Sequence, residues 1–377
     1  MQMAVDVAGF SPGDADRLRQ AMGSKRSRAR MAAMRERLME GMAAKGITGE
    51  TADAIAHKLE AFADFGFPES HSVSFAYLVY SSSWIKLHHP AEFAAALLNA
   101  QPMGFYSPST IVEDAKRHAV EVRRIDVRTS EWDCTLEPKN AEAFALRLGL
   151  REVRGLGATD GADLLAARRA APFADLADAV RRTRIDRGGL EALAEAGAFE
   201  SLGVDRRTAL WEIKRLTRER GQTLAIEVRE TLPLFQALDA GDAIHWDYRA
   251  TAMSPSGHPL QIVRDELRRR GCPDALGVAQ LPHGSHARYV GAVICRQRPG
   301  TAKGVVFMTL EDETGLVNVL LWPKVYEKYA LVVRTNAILG IAGRIESQEG
   351  VIHLVGQRVW VPRFQRSPPE QASRNFH

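Results

Sequence analysis

The sequence predicts a multi-domain chain that is mainly α-helical and ends in a five-stranded β-barrel. Three observations lead there. Helix-period apolar positions recur through residues 9–100, short glycine-punctuated helices follow at 151–205, and residues 284–364 alternate apolar and polar with period two. At 377 residues the chain exceeds one typical domain. Its 45% hydrophobic and 25% charged content is ordinary for a globular protein. No apolar run reaches the roughly 18–20 residues of a membrane helix, and the first residues lack a signal-peptide pattern. Cys134, Cys272 and Cys295 are far apart with no CxxC, which argues against a disulfide framework or zinc knuckle and fits a reducing cytoplasm.

Each element has its own signal. Ser11 is the expected N-cap of a first helix, with Pro12 in the first turn, Asp14 and Asp16 complementing the dipole, and Gly23 as the stop. Asp14 and Asp16 form the chain's Asp-x-Asp; capping accounts for them, so they are not read as metal ligands. Ile47-Thr48-Gly49-Glu50 opens another helix, with Ile55, Leu59 and Phe62 at helical spacing. Residues 73–86 are aromatic and aliphatic on all sides, which predicts a helix buried in a core, with Tyr77, Tyr80 and Trp84 as core residues. Short alternating segments at 120–150 suggest a domain edge. Residues 211–283 read as a linker with some helix, and the tail 365–377 as disordered. The segments 287–295, 305–310, 316–321, 337–345 and 351–361 read as strands, with one helix, 323–331, between the third and fourth. That is the element order of an OB-fold, here 284–364.

Several patterns suit polyanions. Net charge is only +4, but between Arg17 and Arg37 eight cations face one acid, Glu36. Such a block serves phosphate binding or a solvated helix face. In Val153–Arg169, Gly155 and Gly157 flank Leu156, a turn that resembles a helix-hairpin-helix. The glycines let the backbone approach a phosphate, Leu156 plugs the core, and Arg154 adds a cation. A degenerate second copy spans 190–207, with Gly197 in the turn and Arg206 and Arg207 at the next helix start. The tandem is expected over 141–210. In the barrel, Arg296, Arg298 and Lys303 of the first hairpin, with Phe307, Trp322 and Arg344, are candidates for single-strand binding through a basic groove and stacking platforms. The alternative for Phe307 is that it fills the barrel, and Arg298 and Lys303 are the stronger candidates because a glycine-containing loop exposes them. Thr231–Phe235 faintly resembles peptides that dock on the sliding clamp; local packing of its leucines is the plainer reading.

The stretch 62–106, above all Gly66–Pro90 and the NAQPMGFYSP run Asn99–Pro108, resembles the fingers of bacterial C-family DNA polymerases, the DNA polymerase III alpha-subunit type, in their error-prone branch. The resemblance covers about residues 3–362. It implies fingers over 1–140, then the helix-hairpin-helix pair, linker and OB-fold. It also implies a triphosphate-facing motif in LRQAMGSKR, Leu18–Arg26, where Arg19, Lys25 and Arg26 match the family and Gln20 departs from a common arginine. His71 and Lys86 are implied to face the nucleotide or template cleft. The family activity is template-directed DNA synthesis in translesion repair, with Mg²⁺ held by aspartates of a palm domain that precedes the fingers. This chain opens at the fingers, so it is expected to bind no cofactor, to contribute no catalytic or metal-ligating residue, and to be inactive alone. The alternatives are a DNA-binding module acting in trans with a separate palm subunit, or a general single-strand DNA binder. Expected partners are primer-template and single-stranded DNA, with the sliding clamp and accessory translesion polymerase proteins by family implication, and no membrane.

Overall fold

A computed structural model describes residues 2–22, 27–64, 69–104, 106–141, 143–219, 235–348, 350–370 and 373–376. They fall into two compact units, one holding residues up to Ser83 with Arg298–Val306, the other Trp84–Gln297 with Phe307–Phe376. The segment 231–234 of the clamp-like peptide lies outside the described residues.

In the first unit, α1 (Gln2–Ala8), α2 (Pro12–Met22), α3 (Ser27–Ala44) and α4 (Glu50–Asp64) enclose a small core of Ala4, Phe10, Leu18, Leu38, Met42, Ala52 and Ala56. Ser11 caps α2 as expected, its Oγ accepting from the Asp14 amide at 3.2 Å. Asp14 in turn accepts from Ser11 Oγ at 2.6 Å and pairs with Arg37 at 2.9 Å. The Ser11 hydroxyl, with Arg37 and Arg17 nearby, holds its carboxyl below the usual range. Gly41 sits where α3 crosses α1: a Cβ there would lie 2.1 Å from the Ala8 carbonyl oxygen.

The next helix, α5 (Glu69–His88), overturns an expectation. Val73, Phe75, Tyr77, Leu78, Val79, Tyr80, Trp84, Ile85 and Leu87 are all exposed, Tyr77 and Tyr80 by more than 70%. All-round hydrophobicity signals burial in some environment, and the described residues do not supply it.

One core then runs from Ala91 to Met253. It joins α6 (Pro90–Asn99), α7 (Pro108–Arg117), a small sheet, and α8 (Ala158–Ala170), α9 (Leu176–Arg182), α10 (Arg187–Glu195), α11 (Arg206–Glu219) and α12 (Ala240–Thr251). In the sheet β1 (Val122–Arg123) pairs in parallel with β3 (Phe144–Arg147), and β2 (Thr135–Pro138) antiparallel with β3. Residues 120–138 therefore share a core with the glycine-punctuated helices, and no unit boundary falls near 140.

The expected linker is structured where described. After α12 come a 3₁₀ turn (Pro259–Val263), α13 (Arg264–Arg269) and α14 (Ala275–Ala279). Leu260, Val263, Leu267 and Cys272 pack on Val290, Ala292 and Ile338 of the barrel. These helices are too short to leave a visible period in the sequence. The barrel follows the predicted order: β4 (His286–Gln297), β5 (Val306–Asp312), β6 (Gly315–Leu321), α15 (Pro323–Thr335), β7 (Ile338–Gln348) and β8 (Val351–Trp360). The sheet runs β5-β6-β8-β7-β4 and closes through β4–β5, with β6 parallel to β8. The chain is thus a mixed helical region followed by a closed five-stranded barrel of OB-fold type. In the tail, expected to be disordered, β9 (Arg374–Phe376) instead pairs in parallel with Cys295–Gln297 of β4, whose end still offers backbone groups.

A buried polar seam ties α7 and α13 to β5. Arg117 Nη1 donates to Glu311 Oε1 at 3.0 Å, and Arg264 bonds Asp312 at 3.0 Å and Glu313 at 2.9 Å. Burial pushes the Glu311 carboxyl up to about 8, against the pull of Arg117, while Glu113 nearby adds to the rise. A carboxyl whose folded pKa lies above its unfolded value contributes stability that is fully present below the unfolded pKa. That contribution is lost as pH rises toward about 8. Glu311→Gln is therefore expected to gain stability relative to the native chain as pH rises from 5 to about 8; calorimetry of both across this range checks it.

Candidate nucleic-acid interface

The first glycine turn forms as expected, though it is preceded by a single 3₁₀ turn (Leu150–Glu152) and not a full helix. Gly155 has φ +88°, a left-handed value that a side chain would strain. Leu156 is buried beneath it, and Gly157 opens α8 from an extended N-cap conformation. Arg154, Gly155 and Gly157 are exposed together, so this turn offers one guanidinium to solvent, while the Gly157 amide is taken by Asp160 Oδ2 at 3.2 Å. The Arg154 amide itself is used, donating to the Ala250 oxygen at 2.8 Å.

The second turn departs from expectation at its cation. Gly197 has φ +77°, but Arg206 turns inward and is 1% exposed. It bonds Asp247 at 2.7 Å, Glu200 at 3.0 Å and the Glu195 carbonyl at 3.2 Å. Asp247 also accepts from Ser254 and Ser256 at 2.6 and 2.8 Å. Arg206 is thus a core ion pair and no DNA contact. Arg207 is half-exposed, with Nη1 on the Gln236 carbonyl at 2.7 Å.

In the barrel the candidates separate. Arg296 is half-buried and spent on structure, donating to the Val333 and Asn336 carbonyls and, at 2.6 Å, to Ser373 Oγ. A strand-end arginine reads the same in sequence whether it faces a phosphate or staples a helix terminus. Phe307 faces outward at 37% exposure while its neighbours Val306 and Met308 fill the interior, which settles the alternative left open for it. Thr309 on β5 and Leu316 and Asn318 on β6 continue that outer row, and Thr309 Oγ1 lies 3.4 Å from Asn318 Oδ1. Nothing in the sequence marks these three as contacts, since none is aromatic or basic. Trp322, at the end of β6, is 53% exposed. Arg344 is exposed on β7, with Nε on the Gly284 carbonyl at 3.1 Å. Arg298 and Lys303 are exposed in the first unit, and Lys303 has φ +50°.

Of the nucleotide set, Lys25 and Arg26 lie outside the described residues. Arg19 lies on α2 and His71 on α5, with no side-chain placement described. Lys86 pairs with Asp114 at 2.9 Å. Among the described residues no three His, Cys, Asp or Glu side chains gather as for a metal ion. Buried acids at the seam and core, Glu113, Glu311, Asp312 and Asp247, are each held by Lys116, Arg117, Arg264 or Arg206, and so do not fit a Mg²⁺ pair. No helix among the described residues is long and apolar enough to cross a membrane.

Comparison with known proteins agrees with this layout. Residues 1–46 match the bacterial DNA polymerase III alpha subunit finger domain, 119–209 a helix-hairpin-helix motif, and 290–362 an OB-fold nucleic acid binding domain. An error-prone DNA polymerase of Anaeromyxobacter dehalogenans (strain 2CP-C) is 44% identical over 385 residues, covering 100% of this chain and 34% of its own length. That of Methylococcus capsulatus is 41% identical (95% and 36%), and error-prone DNA polymerase 1 of Agrobacterium fabrum 43% identical (95% and 34%). The chain spans about a third of the length of these curated relatives. Over its helix-hairpin-helix and OB-fold region, the chain matches the homologues and domains of the bacterial error-prone DNA polymerase family.

Proposed function

We propose that these residues form the DNA-binding portion of a translesion polymerase, gripping primer-template DNA while the nucleotide-adding chemistry is housed outside them. The observation that carries this reading is the outward row of Phe307, Thr309, Leu316 and Asn318, with Trp322 at its end, on the two strands an OB-fold uses for single strands. The exposed Arg154–Gly157 turn supports a second contact, to the duplex backbone, which reads shape and not sequence. Arg207, Arg298, Lys303 and Arg344 are the remaining cations assigned to DNA, and Arg19, Lys25, Arg26, His71 and Lys86 to the incoming nucleotide through the family pattern. The engagement of Glu113, Glu311, Asp312 and Asp247 by cations supports placing the chemistry elsewhere.

Titration of the purified chain with a primed template tests the binding. Affinity is expected to fall by about tenfold or more between roughly 50 and 200 mM salt, as counterion release demands. Salt-independent binding, or none at low salt, contradicts it. Primer extension with Mg²⁺ tests the placement of the chemistry: incorporation above background contradicts it.

A further inference from the structure

Beside the first glycine turn lies a cavity of about 380 Å³ that none of the matched domains accounts for. It is lined by Arg154, by His245, Trp246, Tyr248 and Arg249 of α12, and by the tail residues Pro369 and Glu370. The Arg249 guanidinium lies over the Trp246 ring, 4.9 Å from its centroid, and is steadied by Glu195 Oε1 at 2.7 Å. Spacing of i and i+3 on one helix puts that pair on one face. Arg154 is exposed, and its guanidinium makes no hydrogen bond or ion pair among the described residues.

We propose that this cavity takes one unpaired nucleotide of a DNA strand, with its phosphate between Arg154 and Arg249 and its base against Trp246. Three features converge on that chemistry. Guanidinium groups match phosphate oxygens in bidentate fashion. An indole offers a stacking face that tolerates any base. The volume lies within the range of small-molecule sites. The tail supplies the counterpart. Arg366 pairs with Asp239 at 2.9 Å and with Asp242 at 2.5 Å, which straps the chain to the start of α12 and brings Glu370 to the cavity wall. Glu370 is exposed and lines the same cavity, so an entering phosphate meets a like charge and the strand competes with the tail.

This inference rests on the DNA-binding reading above, and the experiment separates the two. The full chain is irradiated with a 12-nucleotide single strand carrying 5-bromodeoxyuridine, and the cross-linked peptides are mapped. In parallel, anisotropy compares a labelled dT12 with a blunt duplex for the native chain, Trp246→Leu and Glu370→Gln. A cross-link at Trp246 is expected, competed by unlabelled dT12 and not by dTTP at equal nucleotide concentration. Trp246→Leu should weaken dT12 about tenfold and leave the duplex within about twofold, and Glu370→Gln should tighten dT12 about two- to fivefold. Cross-links confined to the barrel, equal losses on both probes, no gain in Glu370→Gln, or competition by dTTP overturns the proposal. If the native chain binds dT12 and Trp246→Leu leaves that affinity unchanged, the pocket assignment falls and the DNA-binding reading stands; if the native chain binds neither probe, both fall.

Discussion

Replacing Arg206 by alanine is expected to destabilise the helical region by about 3–5 kcal/mol, the range for breaking a buried ion pair and stranding its partner. Arg206 is 1% exposed and Asp247 4%, at 2.7 Å. Without the guanidinium, Asp247 keeps only the Ser254 and Ser256 hydroxyls in a site sealed from water. Arg207→Ala, one position along, should cost less than about 1 kcal/mol, because its pairing is half-exposed and 3.8 Å long. Equilibrium urea unfolding of both variants decides it. Equal small effects would mean that Arg206 is not the core group described here.

The second large effect belongs to α5. Its nine exposed apolar side chains form a surface far from that of an ordinary monomer. The isolated chain is expected to self-associate with rising concentration, since each large side chain withdrawn from water contributes about 1.5–3 kcal/mol. Changing Leu78 and Tyr80 to lysine should weaken that association by at least about tenfold while leaving the far-ultraviolet circular dichroism unchanged. Sedimentation velocity over a concentration series reads this directly. A native chain that stays monomeric throughout contradicts it.

The barrel was legible because period-two alternation reports a closed sheet with one wet face, and the single helix between 321 and 338 named its type. The glycine turns were legible as well, since Gly155 and Gly197 take positive φ that other residues resist. Side-chain direction was not. Arg154 precedes one glycine turn and Arg206 follows the other, yet Arg206 is buried against Asp247 and Arg154 faces solvent. What separates them is Asp247, 41 residues away, a partner that no local pattern announces. For α5 the failure was of another kind: apolar residues on every side say that a helix is to be covered, not what covers it. The face of α12 was missed because Trp246-Asp247-Tyr248-Arg249 reads as an ordinary mixed helix until the Arg154 turn is placed beside it.

Single-strand binding by the outer barrel row is the claim on which the functional account turns. The most direct measurement is the affinity of dT12 for the native chain and for Phe307→Ala/Trp322→Ala in the same buffer. Loss of two stacking platforms should weaken binding by about thirtyfold or more, at about 1–3 kcal/mol per stacked base, in a variant whose circular dichroism shows it folded. Unaltered affinity in a folded double variant would contradict the account.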